Sequence, residues 1–287
     1  MFDRSRIAET LAATTRAGFG RFVSACRRLG ARPARPRREA PAGERPSFVL
    51  ATGLVLALAA VKLLDPLMRG KPAIADGSLA DRVLGGITWF GEGVEILVGS
   101  GVLVLALAAI DPRGFGRATR ARLAQVAAAF AFVFASVAGS GLLAALAKNL
   151  LGRARPEHLA GDAVFEIHAA VFKANWAAFP SGHATTAGAS ATVLALLFPR
   201  FARVFLAAGV AIALTRIALG AHFPSDVVAG FALGAAFTLM LARGFAARRM
   251  VFRTDDRGRL TLRPIAGPAG WFDLLADLLA GRRPPQG

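Results

Sequence analysis

From Val126 to Ala147 the chain runs without a single charged side chain. A helix needs about 20 mostly apolar residues to cross a bilayer core about 30 Å thick, and this stretch meets that length by itself. Inside lipid every backbone N–H and C=O must be satisfied within the protein, which leaves helices and closed barrels. Five further apolar runs lie at about 47–64, 94–110, 183–198, 203–220 and 227–243. The run at 183–198 is short, so a span there would have to begin near Phe179 or continue past Pro199. The chain is 55% hydrophobic and only 18% charged. Soluble domains are typically about 45–50% apolar and about a quarter charged. The expected architecture is a six-transmembrane-helix bundle over residues 47–247. A basic tail of residues 1–46 precedes it, and a second tail of residues 248–287 follows.

The net charge of +17 does not point to nucleic acid, because the arginines fall in tails and in short connections between apolar runs. That is the pattern of a membrane protein with positively charged cytoplasmic loops. With both termini in the cytoplasm, the inner segments are 1–46, 111–122, 199–203 and the tail from Arg243. They hold 26 of the 35 Lys and Arg residues. The outer loop 65–93 is then acidic on balance. Residues 5–29 have the composition of a basic amphipathic helix for anionic lipid. No secretory signal peptide is expected, since the first apolar run starts late. Cys26 is the sole cysteine, which rules out an internal disulfide and a cysteine-rich metal site. Gly230 and Gly234 make a small-residue step that allows close helix approach within the bundle. Residues 271–279 are amphipathic, too short to span, and suited to the inner surface.

Three polar clusters interrupt this apolar background, and charges near a membrane tend to mark function. Lys148 and Arg155 are seven residues apart, so a helix continuing through both would put them on one face. Arg grips phosphate oxygens as a fork and Lys adds a point charge; a pair snorkelling from a helix end is the competing reading. Pro180-Ser181-Gly182-His183 has the form of a helix start. Ser181 suits the cap, Gly182 lets an anion approach the free N–H groups, and His183 titrates near neutrality. An ordinary capped turn would look the same. Arg216, His222 and Asp226 form the third cluster. A carboxylate beside a histidine fixes its tautomer and leaves the other ring nitrogen free as a nucleophile. In the charge-derived topology all three clusters meet at the outer face. A metal site fits poorly there, with cations around the histidines and no ligand-rich motif such as HExxH. His158 and His168 read as polar loop residues.

The ordered pattern Lys148-x6-Arg155-Pro156, Pro180-Ser181-Gly182-His183 and Arg216-x5-His222-x3-Asp226 resembles the type 2 phosphatidic acid phosphatase (PAP2) superfamily. Thr215 departs from it, since the family usually has serine before the arginine, but a hydroxyl is kept. The resemblance covers the six-span core and not the tails. It implies an all-α six-helix core and phosphate ester or pyrophosphate hydrolysis without metal or other cofactor; with the charge-derived topology, the expected setting is a bacterial inner membrane with the site facing the periplasm. The resemblance further implies that His222 attacks phosphorus to form a phosphohistidine, that Asp226 orients His222, and that His183 protonates the leaving alcohol. Lys148, Arg155, Ser181, Gly182 and Arg216 would bind the phosphoryl oxygens. The implied substrates are phospholipid, lipid A or isoprenoid phosphates. Phosphotransfer to an acceptor other than water and non-catalytic lipid or anion transport are the alternatives. Vanadium haloperoxidases share the constellation but are the least suited to a six-span chain.

Overall fold

The computed structural model describes residues 39–68, 77–156, 167–170 and 172–280, with the isolated positions 20, 24, 27, 31, 33, 34 and 74. The expected helix at 5–29, His158 and most of the N-terminal tail therefore lie outside the described residues.

The apolar runs form helices α1 (Pro46–Leu63), α3 (Val94–Ala109), α4 (Arg117–Leu151), α5 (Gly182–Leu197), α6 (Ala202–Ala218) and α7 (Pro224–Ala247). Each run found in the sequence thus corresponds to one helix. Proline opens α1 and α7, where its missing N–H and fixed φ carry no penalty. Five helical stretches among the described residues are long and apolar enough to cross a membrane. One of them combines α3 with α2 (Leu79–Trp89), a helix capped by Ser78 inside what the sequence presented as a loop. The short run stayed short. α5 has 16 residues and stops at the Pro199 turn, and it is largely enclosed by α4, α6 and α7. At 1.5 Å per residue α4 is about 52 Å long, well beyond the hydrocarbon core.

Large apolar side chains remain exposed all along the outer helices, among them Val55 and Leu58 on α1, Val98 and Val102 on α3, and Leu142 and Leu146 on α4. Exposed apolar area on this scale marks a surface that faces lipid or protein. Inside the bundle the order reverses, and small residues bring backbones together. A Cβ on Gly234 would overlap Thr185 O, and one on Gly188 would overlap Phe231 O. The Gly230–Gly234 step therefore packs within the bundle, against α5.

The helices alternate in direction and sort the chain into two ends. Glu44, Gln125, Arg243 and the C-terminal segment gather at one end. There a hairpin of β1 (Phe252–Thr254) and β2 (Leu260–Leu262) packs beneath the bundle. Met250, Val251, Phe252 and Ala266 share an apolar core with Phe132, Leu197 and Ala242. Arg243 pairs with Glu44 at 2.9 Å, and Val251 N donates to Gln125 Oε1 at 2.8 Å. Helix α8 (Pro268–Leu279) lies across α4, with Leu274 buried on Leu123 and Val126 and with Asp277 2.7 Å from Arg122. The opposite end carries the site.

Candidate active site

Helix α4 does not continue to Arg155. Gly152 ends it in the left-handed region, with φ of 61°, at a position where a Cβ would overlap His168 O. The chain then runs extended through Arg153, Ala154 and Arg155, and pairs with the approach to α5. Ala178 N donates to Arg153 O at 3.1 Å, and Arg155 N donates to Asn175 O at 3.0 Å. Lys148 and Arg155 are thus delivered by a helix end and by a pinned strand-like segment, in place of the single helical face expected from their spacing.

Ser181 caps α5 by accepting from Ala184 N at 3.4 Å, and its own N–H donates to Asp226 O at 3.0 Å. This backbone bond ties the second cluster to the third. A Cβ placed on Gly182 would lie 4.0 Å from Lys148 Nζ, so the ammonium sits over the N-terminus of α5. A cation and a helix N-terminus together form an electropositive seat for an anion. The Ser181 hydroxyl is fully buried and occupied with capping.

His222 follows α6 in a short turn whose N–H bonds to Arg216 O at 3.2 Å. Its Nδ1 lies 3.5 Å from Asp226 Oδ2, in the first turn of α7. Asp226 Oδ2 also accepts from Phe223 N at 2.9 Å. Burial pulls the His222 imidazole below its ordinary value. Asp226 pulls it back up, and Arg155 and Arg216 push it down again. His183 lies within electrostatic reach of Arg216, His222, Lys148 and Arg155. Among the described residues, Nε of Arg155 and Nε of Arg216 are buried without a hydrogen-bond partner. Buried donors left unmade are costly, and a multivalent oxyanion is the kind of ligand that satisfies several at once.

The sequence reading missed five residues at this end. Thr88 accepts from Arg216 Nη1 at 3.3 Å, and Glu92 lies 3.9 Å from His183 Nε2. Both come from the α2–α3 region, which folds over the site through Gly91 and Gly93. The other three are Asp65, Arg153 and Ser225. They are fully buried and linked to Asp226, as described below. A charged residue immediately after an apolar run was the available signal for Asp65, and a second arginine two positions before Arg155 was the signal for Arg153.

These features define a helical membrane domain whose helix ends assemble a cationic site around two histidines. Residues 128–250 match the sequence model of the PAP2 superfamily. Over 128 residues the chain is 43% identical to the lipid A 1-phosphatase of Rhizobium johnstonii, an alignment covering 45% of this chain and 52% of that protein. Over 106 residues it is 42% identical to the decaprenylphosphoryl-5-phosphoribose phosphatase of Mycobacterium tuberculosis, covering 34% of this chain and 54% of that one. The chain spans about half the length of these curated relatives. Among solved structures, a transmembrane PAP2-type phosphatidylglycerolphosphate phosphatase from Bacillus subtilis overlaps with a TM-score of 0.46 at 22% identity, covering 70% of this chain and 95% of that one. The matched segment contains Lys148, Arg155, Ser181, Gly182, His183, Arg216, His222 and Asp226, and leaves out Asp65, Thr88 and Glu92.

Proposed function

We propose that this chain is a membrane lipid phosphatase that removes a phosphate from a lipid headgroup through a phosphohistidine. The observation that carries this reading is the gathering of Lys148, Arg155, Arg216 and the α5 N-terminus around His183 and the His222–Asp226 pair. With Nδ1 turned to Asp226, His222 keeps Nε2 for attack. Nε2 bonds to phosphorus as the bond from phosphorus to the ester oxygen breaks, and that oxygen takes a proton from His183. Neutral His183 then takes a proton from water, whose oxygen displaces His222 and releases inorganic phosphate. Lys148, Arg155 and Arg216 stabilise the charge that grows on the phosphoryl oxygens. Ser181 serves by fixing the helix start that presents Gly182 and His183.

Lipid A bearing its 1-phosphate is the substrate favoured by the Rhizobium relative, with a polyprenyl-linked phosphate as the second candidate from the mycobacterial one. The site faces the periplasm and both termini face the cytoplasm in this reading, because the described arginines at 117–122 and 243–263 gather at the end away from the site. No group of three or more His, Cys, Asp or Glu among the described residues is placed to hold a metal ion. Purified protein in detergent should release phosphate from lipid A in the presence of EDTA, and vanadate should block the release. Activity lost to EDTA and restored by a divalent ion would return the site to metal chemistry. Absence of vanadate-sensitive phosphate release from any lipid phosphate would remove the phosphatase reading.

A further inference from the structure

Asp226 is joined to buried charged groups that the three motifs do not name. Arg153 is fully buried and bridges two carboxylates. Its Nη1 donates to Asp226 Oδ1 and to Ser225 Oγ (2.6 Å), and its Nη2 donates to Asp65 Oδ2 at 2.8 Å. Ser225 Oγ donates in turn to Asp65 Oδ2, and Ser225 N donates to Asp65 Oδ1 at 3.1 Å. The guanidinium carbon stands 4.4 Å over the Phe223 ring, which is itself buried. One arginine, two aspartates and a serine from three separate parts of the chain thus close on the carboxylate that faces His222.

We propose that Asp65 and Arg153 are positioning residues for the His222–Asp226 pair, acting on the nucleophile through the Asp226 carboxylate. This rests on the phosphatase reading above. Geometry is one half of the effect. Asp226 Oδ1 is held by Arg153 while Oδ2 is held by Phe223 N, so the carboxylate plane is fixed and Oδ2 stays toward His222 Nδ1. Charge is the other half. Arg153 alone would neutralise Asp226 and weaken its pull on the imidazole. Asp65 supplies the second negative charge, and the trio Asp65, Arg153 and Asp226 carries one net negative charge in a site closed to water. That charge is available to stabilise the positive character His222 acquires when it bonds to phosphorus. Ion pairs buried this deeply are expensive to assemble and seldom favoured for stability alone.

The groups facing His222 are Asp226 on α7, Arg216 at the end of α6, Arg155 beyond α4 and His183 on α5. None of these is altered by Asp65→Asn, which keeps the shape and the acceptor toward Ser225 N while removing the charge. Wild-type and Asp65→Asn proteins would be compared in detergent with a lipid phosphate as substrate. Expected are a fall in kcat of about tenfold or more, KM within about twofold, and an acid limb of kcat/KM moved to lower pH, because a histidine that loses a nearby negative charge binds its proton less tightly. Ser225→Ala touches no charge and no substrate, and it loosens both the Asp65 and the Arg153 bonds. It should lower kcat several-fold at unchanged KM and leave the acid limb in place. If Asp65→Asn does not fold, the Ser225→Ala result decides, and wild-type kcat in that variant overturns the proposal. Wild-type kcat in Asp65→Asn overturns it, as does a loss of activity with an unmoved acid limb. If the wild-type protein itself releases no phosphate, the phosphatase reading fails first, and the two failures are told apart.

Discussion

His222 is buried beside a carboxylate and two guanidinium groups, and burial, with the guanidinium charges, keeps its imidazole below the ordinary histidine value against the opposing pull of Asp226. The sign of the pH effect follows from that depressed value. On the proposed mechanism, protonation of His222 removes the nucleophile as pH falls, and kcat/KM should drop on an acid limb lying below the ordinary histidine value. His222→Ala should abolish turnover and phosphoenzyme labelling. His183→Ala should slow alkyl phosphates by about 10²–10⁴-fold, the usual range for a general acid. Activated aryl phosphates should suffer much less, because their leaving groups depart without a proton. Equal losses on both ester types would remove His183 from that role. The residues of this argument were legible in the sequence, because each belongs to a short local pattern with a chemical meaning. Asp65 and Arg153 were not, since their bond joins positions 88 apart and only the folded bundle brings them together.

At the scale of elements, apolar runs located the helices well and their ends poorly. The hydrophobic signal fades where α4 passes into Arg117–Arg122, yet the helix continues there, and at the other end Gly152 stops it before Arg155. Helix α2 escaped notice because it has only 11 residues and includes Asp81 and Arg82. The hairpin was legible only as a tail, since two three-residue strands leave no periodicity to read, whereas the amphipathic stretch 271–279 falls within α8. What the sequence did show was the small-residue step on α7, and the structure gives it a measurable consequence. A Cβ on Gly234 meets Thr185 O and lies 2.7 Å from Ala189 N, both backbone atoms that cannot rotate away. Gly234→Ala should lower the thermal midpoint in detergent, by an amount corresponding to about 1–3 kcal/mol of overpacking. Gly141→Ala on α4 meets nothing within 4 Å and should leave stability unchanged or raise it by up to about 1 kcal/mol. Equal stability of the two variants would contradict the close α5–α7 approach.

The whole molecule separates two surfaces. Among the described residues, the arginines at 117–122 and 243–263, the hairpin and α8 lie at one end and the proposed anion site at the other, with an apolar belt between them. With Cys26 replaced by serine, single cysteines at Lys173 and Arg257 should label oppositely with an impermeant reagent in intact cells, Lys173→Cys from outside. Labelling of Arg257→Cys alone would invert the orientation. The same layout bears on the substrate. Lys148 and Arg216 sit at the ends of α4 and α6, whose outer faces carry exposed leucine, and in α6 valine too, so the phosphate seat is level with the edge of the apolar belt. A lipid phosphate can present its headgroup there while its chains remain in the bilayer. Moving those chains into water would cost about 0.8 kcal/mol per CH₂. A soluble phosphate ester must arrive from the aqueous side and gains no concentration from the membrane. For a lipid phosphate in mixed micelles, kcat/KM should therefore exceed that of its deacylated headgroup by well over tenfold, with most of the difference in KM. Equal values, or a preference for the soluble ester, would reject the lipid assignment and leave the phosphohistidine chemistry standing.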